Sequence, residues 1–256
     1  MADDTGVRGP EPGPSHLSAD ERDRIRRIVT LAGDEPGEVL EVGARDGRVT
    51  HELLRAGSRV TALDICPRNL GLHDVSVVGG DVTALPFRDR TFDTVLCTEV
   101  LEHLPEDLLE RARSELERVT RCRLLVTVPF EQDLAVGATR CGRCGTVNPP
   151  WGHLSRFTIE SVENGFRGLE PLEVGTFGRH RNVQPRPARW LEARLGYPHG
   201  AWEQEEPCVG CGAPLERPHL SLPKRLLARI PAAMTRAARL VAKERPSWIY
   251  ALFVRP

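Results

Sequence analysis

A short apolar run that ends in an acid and breaks into a glycine turn constrains this chain more than any other feature. The run is Val39-Leu40-Glu41-Val42-Gly43-Ala44-Arg45-Asp46-Gly47. A strand that delivers its C-terminal end into a glycine turn at a helix N-terminus makes a nucleotide-sized crevice. Glycine lets the backbone approach a ligand with no Cβ in the way. Further acids follow at strand ends. Val60-Thr61-Ala62-Leu63-Asp64 ends in one, at about the 20-residue distance where a ribose-binding carboxylate is expected. Gly79-Gly80-Asp81-Val82 ends a third strand, and Phe92-Asp93-Thr94-Val95-Leu96-Cys97 reads as a fourth. A nicotinamide-binding loop is disfavoured because the G-x-G-x-x-G spacing is missing. A turn of purely structural purpose stays open.

Helical patterns separate these strands. Ser18, with Glu21 three residues on, reads as a capping box opening a first helix. Further helices are expected over 48–56 and 106–119, and Pro67 is expected to open a short one. A fifth strand over 123–128 closes at Pro129. Beyond it, a helix over 158–164, a strand over 169–177, a helix over 224–243 interrupted by Pro231 and a last strand over 248–254 are expected. Alternation at these lengths predicts an α/β fold with a parallel, doubly wound Rossmann-like sheet. Residues 1–17 read as a disordered lead-in, and 18–256 as one domain with insertions at 137–152 and 179–222.

The strand and loop series resembles the class I S-adenosylmethionine (SAM)-dependent methyltransferases, over about residues 35–130. The resemblance implies a seven-stranded sheet and SAM as cofactor. It implies that Glu41, Gly43 and Gly47 contact the methionine part, Asp64 the ribose hydroxyls, and Asp81 with Val82 the adenine. Arg45 stands where that family usually has a glycine.

The two insertions carry Cys141-Gly142-Arg143-Cys144-Gly145 and Cys208-Val209-Gly210-Cys211-Gly212. Two such knuckles supply the four sulfurs of a structural zinc, so the insertions are expected to meet as a zinc annex. Redox-active thiols or an iron–sulfur cluster are the alternatives. Cys66, Cys97 and Cys122 read as small buried residues.

Glu99-Val100-Leu101-Glu102-His103 follows the fourth strand. In a helical turn Glu99, Glu102 and His103 would share a face. Two carboxylates and an imidazole suit Mg²⁺ or Mn²⁺, and His153 is a candidate to join them. This four-residue set resembles the metal site of small-RNA 3′-terminal 2′-O-methyltransferases, and its Glu-x-x-Glu-His part resembles ubiquinone-pathway O-methyltransferases. His103 or His153 as a metal-free general base, or a purely structural role, are the alternatives.

A formal net charge of −1 gives no bulk pull on a polyanion. No apolar stretch approaches a membrane span, and the acidic start Met1-Ala2-Asp3-Asp4 lacks a secretory core, so a cytoplasmic protein is expected. Between Arg217 and Pro256 the cations outnumber Glu244, the one acid there, and they accompany apolar residues at helical spacing. Peripheral membrane contact is one reading. A helix that packs its apolar side on the sheet is the favoured one. The Gly-His-x-x-Arg-Phe segment with paired knuckles loosely resembles methyltransferases of bacterial surface polysaccharides, which implies a sugar hydroxyl as acceptor. An RNA-modifying methyltransferase, with arginines and knuckles holding the polynucleotide, and a non-catalytic zinc-stabilised scaffold with a vestigial SAM pocket are the alternatives.

Overall fold

The computed structural model describes residues 18–67 and 75–256. The expected lead-in at 1–17 and most of the short helix after Pro67 lie outside the described residues. In chain order the elements are α1 (Ala19–Ala32), β1 (Glu38–Val42), α2 (Arg48–Arg55), β2 (Arg59–Asp64), β3 (Ser76–Gly79), β4 (Phe92–Thr98), α3 (Glu106–Val119) and β5 (Thr120–Pro129). There follow β6 (Thr139–Arg140), β7 (Val147–Asn148), α4 (Ile159–Glu163), β8 (Glu170–Phe177), α5 (Arg186–Leu195), α6 (Leu222–Val241) and β9 (Trp248–Val254). Short 3₁₀ turns lie at Leu101–His103 and Pro150–Gly152.

Seven strands form one sheet in the order β3-β2-β1-β4-β5-β9-β8. β1 to β5 are mutually parallel, whereas β9 runs antiparallel between β5 and β8. The sheet is therefore mixed at this edge rather than wholly parallel. The chain steps outward from β1 to β3 and returns to β4 on the other side of β1, which puts a topological switch point between β1 and β4. Register keeps the strand ends level: Val42 pairs with Leu63 and with Cys97, Asp64 with Gly79, and Thr98 with Thr127. Every loop leaving these ends opens on one crevice.

Alternate residues of the central strands serve two cores. Leu40, Val42, Val95, Cys97, Leu124 and Val126 face the layer that includes Ala112 and Leu116 of α3. Val39, Leu96 and Leu125 face Ile28 of α1 and Leu53 of α2. Burial on both faces explains why these strands read as continuous apolar runs. The Ser18–Glu21 capping box forms as expected.

Several expectations are corrected. α5 lies within a stretch that its prolines mark as irregular. Pro185 caps it and Pro187 falls in its first turn, where an amide has no helical partner to lose. α6 runs through Pro231 without a break. It also does not pack its leucines on the sheet: its buried residues are Ala228 and Pro231. Cys97 is buried, but Cys66 and Cys122 are exposed. Among the described residues no helix is long and apolar enough to cross a membrane.

Candidate functional site

The C-terminal ends of the parallel strands open on a cleft of about 1410 Å³. On one rim, the amides of Gly43 and Ala44 both donate to the Leu63 carbonyl, at 2.7 and 3.2 Å, which locks the glycine turn to β2. Gly43 has φ +80°, and a Cβ there would sit 2.3 Å from Val100 Cγ2. Gly47, at φ +73°, starts α2. The glycine expected at position 45 is replaced by an arginine that adopts the left-handed conformation itself, at φ +47°. Its amide donates to Asp64 Oδ2 at 2.8 Å, while Cys66 N donates to Asp64 Oδ1 at 2.9 Å. These bonds hold the Asp64 carboxylate at the cleft, with lone pairs left over for a diol. Asp81 is fixed similarly, its Oδ1 accepting from Thr83 N and Thr83 Oγ1. Val82 lines the cleft beside it. Ile65, 74% exposed, also lines this rim, an apolar surface directly after Asp64 that the sequence reading did not single out.

Glu41 is buried under this turn, and Thr50 Oγ1 donates to its Oε2 at 2.5 Å. Burial raises its pKa to about 7, against the opposing Thr50 bond and with help from the Asp46 charge. Arg24 of α1 also lines the cleft, its guanidinium lying over the Trp248 ring at 5.8 Å.

On the other rim the predicted cluster forms with one correction. Glu99 is not part of a helical turn. It has φ +57°, and only Leu101–His103 form the 3₁₀ turn. Its carboxylate accepts from Thr127 Oγ1 at 3.2 Å and from Trp248 Nε1 at 2.9 Å. Glu102, His103 and His153 do converge, with ligand atoms all within 4.8 Å of one another. Glu102 is fully buried, and neither carboxylate oxygen has a hydrogen-bond partner. Burial, with the Glu99 charge, holds its pKa well above the carboxylate range. The His103 and His153 rings meet edge to face at 4.8 Å. Burial lowers both pKa values, His153 to about 4, where the neighbouring His103 adds to the effect. His153 Nδ1 donates to Gln132 Oε1 at 2.5 Å, which leaves Nε2 as an acceptor or ligand. The His153 loop is tied to this rim because the amides of Leu154 and Ser155 donate to the Glu102 carbonyl, at 2.6 and 3.0 Å.

The insertions contribute a third wall. Arg45 Nη2 lies 3.6 Å from Glu205 and 3.7 Å from Glu206. Gln204 Oε1 accepts from Trp151 N. A Cβ on Gly152 would sit 3.3 Å from Glu206 Cβ and 3.8 Å from His103 Nδ1, so Glu206 borders the histidine rim. Segment 204–206 therefore straps one rim to the other, just ahead of Cys208. Behind it Cys141, Cys144, Cys208 and Cys211 gather, their sulfurs all within 4.8 Å of one another. Cys141 and Cys211 sulfurs are 3.8 Å apart, and Cys144 and Cys208 sulfurs 3.6 Å. The edge of a tetrahedron with Zn–S bonds of 2.3 Å is about 3.8 Å, so the set has metal-site dimensions. The two knuckles repeat one turn: Gly145 N donates to Cys141 O, and Gly212 N to Cys208 O. Of the six non-glycine residues with positive φ among the described residues, Arg45, Glu99, Glu131 and Trp151 line the cleft. Backbone strain concentrates where ligands are held.

Residues 40–123 match the family described as "Methyltransferase domain". Over that stretch the chain is similar to a methyltransferase domain. It is 36% identical over 115 residues to a demethylmenaquinone methyltransferase of Renibacterium salmoninarum, covering 41% of this chain and 46% of that protein. It is 32% identical over 108 residues to a ubiquinone biosynthesis O-methyltransferase of Xylella fastidiosa, covering 38% and 43%. The chain thus spans less than half the length of these curated relatives. Among solved structures, the 1,6-didemethyltoxoflavin-N1-methyltransferase of Burkholderia thailandensis superposes with a TM-score of 0.51 at 15% identity, over 97% of this chain and 93% of that one. The [4+2]-cyclase SpnF superposes with a TM-score of 0.53 at 17% identity, over 97% and 86%. These likenesses establish the fold, and the cyclase shows that the methyltransferase fold alone does not name a reaction.

The Glu41 shift carries a stability prediction. The native state keeps Glu41 protonated up to about pH 7, whereas the ordinary glutamate value is 4.5. The native state therefore binds more protons between these values, and stability falls as pH rises through that window, by an amount on the order of 3 kcal/mol. Urea unfolding at about pH 5 and about pH 8 should show the wild type losing more stability than Glu41→Gln. Equal losses would remove Glu41 as the source.

Proposed function

We propose that this chain is a SAM-dependent methyltransferase acting on a hydroxyl, with a sugar or polysaccharide-related hydroxyl as acceptor, in the reducing cytoplasm. The observation that carries the reading is the two-sided cleft. The Glu41, Gly43–Asp46, Asp64 and Asp81 rim faces a rim of neutral histidines, which gather with the buried, unpartnered carboxylate of Glu102. SAM would lie along the first rim. Asp64 takes the ribose diol, Asp81 with Val82 the adenine edge, and Ile65 its face. Arg24 is placed for the carboxylate of the methionine part, and Glu41 for its cationic groups. The sulfonium is already activated, so the protein's task is alignment and exclusion of water. The methyl group passes in line to the acceptor oxygen, neutral S-adenosylhomocysteine departs, and the hydroxyl proton goes to the second rim.

Glu102, His103 and His153 fit a divalent cation. Two imidazoles that stay neutral and a carboxylate with both oxygens unpaired make a donor set. Mn²⁺ suits two imidazoles better than Mg²⁺ does. A cation there would lower the pKa of a bound hydroxyl. His153, with a pKa near 4, is a weak base by itself, which favours ligation over proton abstraction for that residue. The four cysteines fit a structural zinc that holds the 204–206 strap in place.

The acceptor does not come from the relatives' names. The family match ends at residue 123, and beyond Glu99–His103 the second rim draws on residues 129–153 and 180–248. Arg181, Arg239 and Arg245 at that end of the cleft keep an RNA acceptor as a second reading. SAM carrying a labelled methyl group, offered to a glycan pool and an RNA pool, should label the glycan. Labelled RNA with salt-sensitive retention would replace the sugar reading.

Three outcomes test the parts. Asp64→Ala should weaken SAM binding by about 1.5–3 kcal/mol in calorimetry, and unchanged affinity would remove Asp64 from the site. Elemental analysis should give one zinc per chain, lost in Cys208→Ser together with thermal stability; folded, metal-free protein with four free thiols would defeat the assignment. Chelation should abolish turnover while SAM still binds, with Mn²⁺ restoring activity. Turnover that survives chelation but falls about 10²–10⁴-fold in His103→Ala would make His103 a metal-free base instead.

A further inference from the structure

α6 presents an uncovered apolar face. Leu222, Leu226, Leu227, Ile230, Leu240 and Val241 are each between 48% and 85% exposed. At 3.6 residues per turn, Leu222, Leu226, Ile230, Ala233, Ala237 and Leu240 form one stripe, opposite the buried Ala228 and Pro231. Arg225, Arg229 and Arg236 run beside that stripe. The helix also holds Lys224 and Arg239 and contains no acid. Its other side packs on α5. The C-terminal end of α6 reaches the cleft, where Arg239 Nη2 donates to Asn182 Oδ1 at 3.2 Å and both residues line the opening.

We propose that α6 docks the protein on an anionic lipid surface, with the stripe in the acyl boundary and the arginines among the headgroups. About 30 Å of helix, apolar on one side, with cations and no acids, is the signature of an interfacial helix. A second copy of the chain is a poor occupant, because a twofold contact through this face would set Arg225, Arg229 and Arg236 against the same three arginines. A polynucleotide would use the cations and leave the leucines in water. Docking would put the cleft mouth at the membrane, so the acceptor is the hydroxylated headgroup of an amphiphile such as a lipid-linked glycan. This last clause rests on the proposed methyl transfer; the docking itself does not.

The test is co-sedimentation of the full chain, without SAM, with vesicles of phosphatidylcholine alone or mixed equally with phosphatidylglycerol. Binding to the mixed vesicles at low salt, weakened by salt and absent from neutral vesicles, is expected. Arg225→Gln with Arg229→Gln should lower partitioning by on the order of 25-fold, each cation being worth roughly fivefold. Leu226→Ser with Ile230→Ser should lower it at least as far. These positions are exposed, so both variants should keep wild-type SAM affinity in calorimetry. No binding to mixed vesicles at low salt would overturn the docking. So would equal binding to neutral ones, or a concentration-dependent dimer that Leu226→Ser with Ile230→Ser abolishes. A protein that binds vesicles but not SAM would instead sink the methyltransferase reading and leave the docking standing.

Discussion

The site depends on the close packing around the Gly43 backbone. Gly43 leaves β1 so near Val100 that a side chain would sit 2.3 Å from it, and its amide is held by the Leu63 carbonyl at 2.7 Å. Three parallel strands thus end together, with no Cβ filling the space between them. Asp64, through the amides of Arg45 and Cys66, then fixes the shape of the turn. The carboxylate proposed to take the ribose diol is also the one that shapes the turn, so the loop is pre-organised before a ligand arrives.

Local chemistry made part of this legible from the amino-acid order. The Ser18 capping box, the strand ends at Asp64 and Asp81, and the helix over 106–119 all rest on interactions a few residues apart. The paired knuckles were legible for another reason: their equality in sequence becomes equality of turn geometry, which brings sulfurs 64 and 70 residues apart within 3.6 and 3.8 Å. What stayed hidden depends on distant partners. Glu99 is bound by Trp248, 149 residues on, rather than gathered with Glu102, His103 and His153. Arg45 occupies a glycine-like conformation with its side chain held by Glu205 and Glu206, which no spacing rule connects to it. The apolar stripe of α6 could be read, but periodicity is the same for a packed stripe and an exposed one.

The insertions change what the fold can do. The common sheet and the turn after β4 supply the first rim and the Glu99–His103 part of the second, while His153 and the strap come from residues after β5. Glu206 is partly buried, with Oε2 unpaired and its carboxylate acting on His103 against the effect of burial. The cysteine cluster lies two residues beyond it. The annex is thus joined to the cleft through Glu206 and, through Arg45, to the glycine turn.

The proposed SAM-type ligand lies along the β1, β2 and β3 ends under the 204–206 strap. Amide hydrogen exchange with and without S-adenosylhomocysteine tests this placement most directly. Slowed exchange is expected in segments 41–47, 64–67, 81–84 and 204–206, with no change in α6. Binding that leaves the first three segments unprotected, or no binding at all, would contradict it.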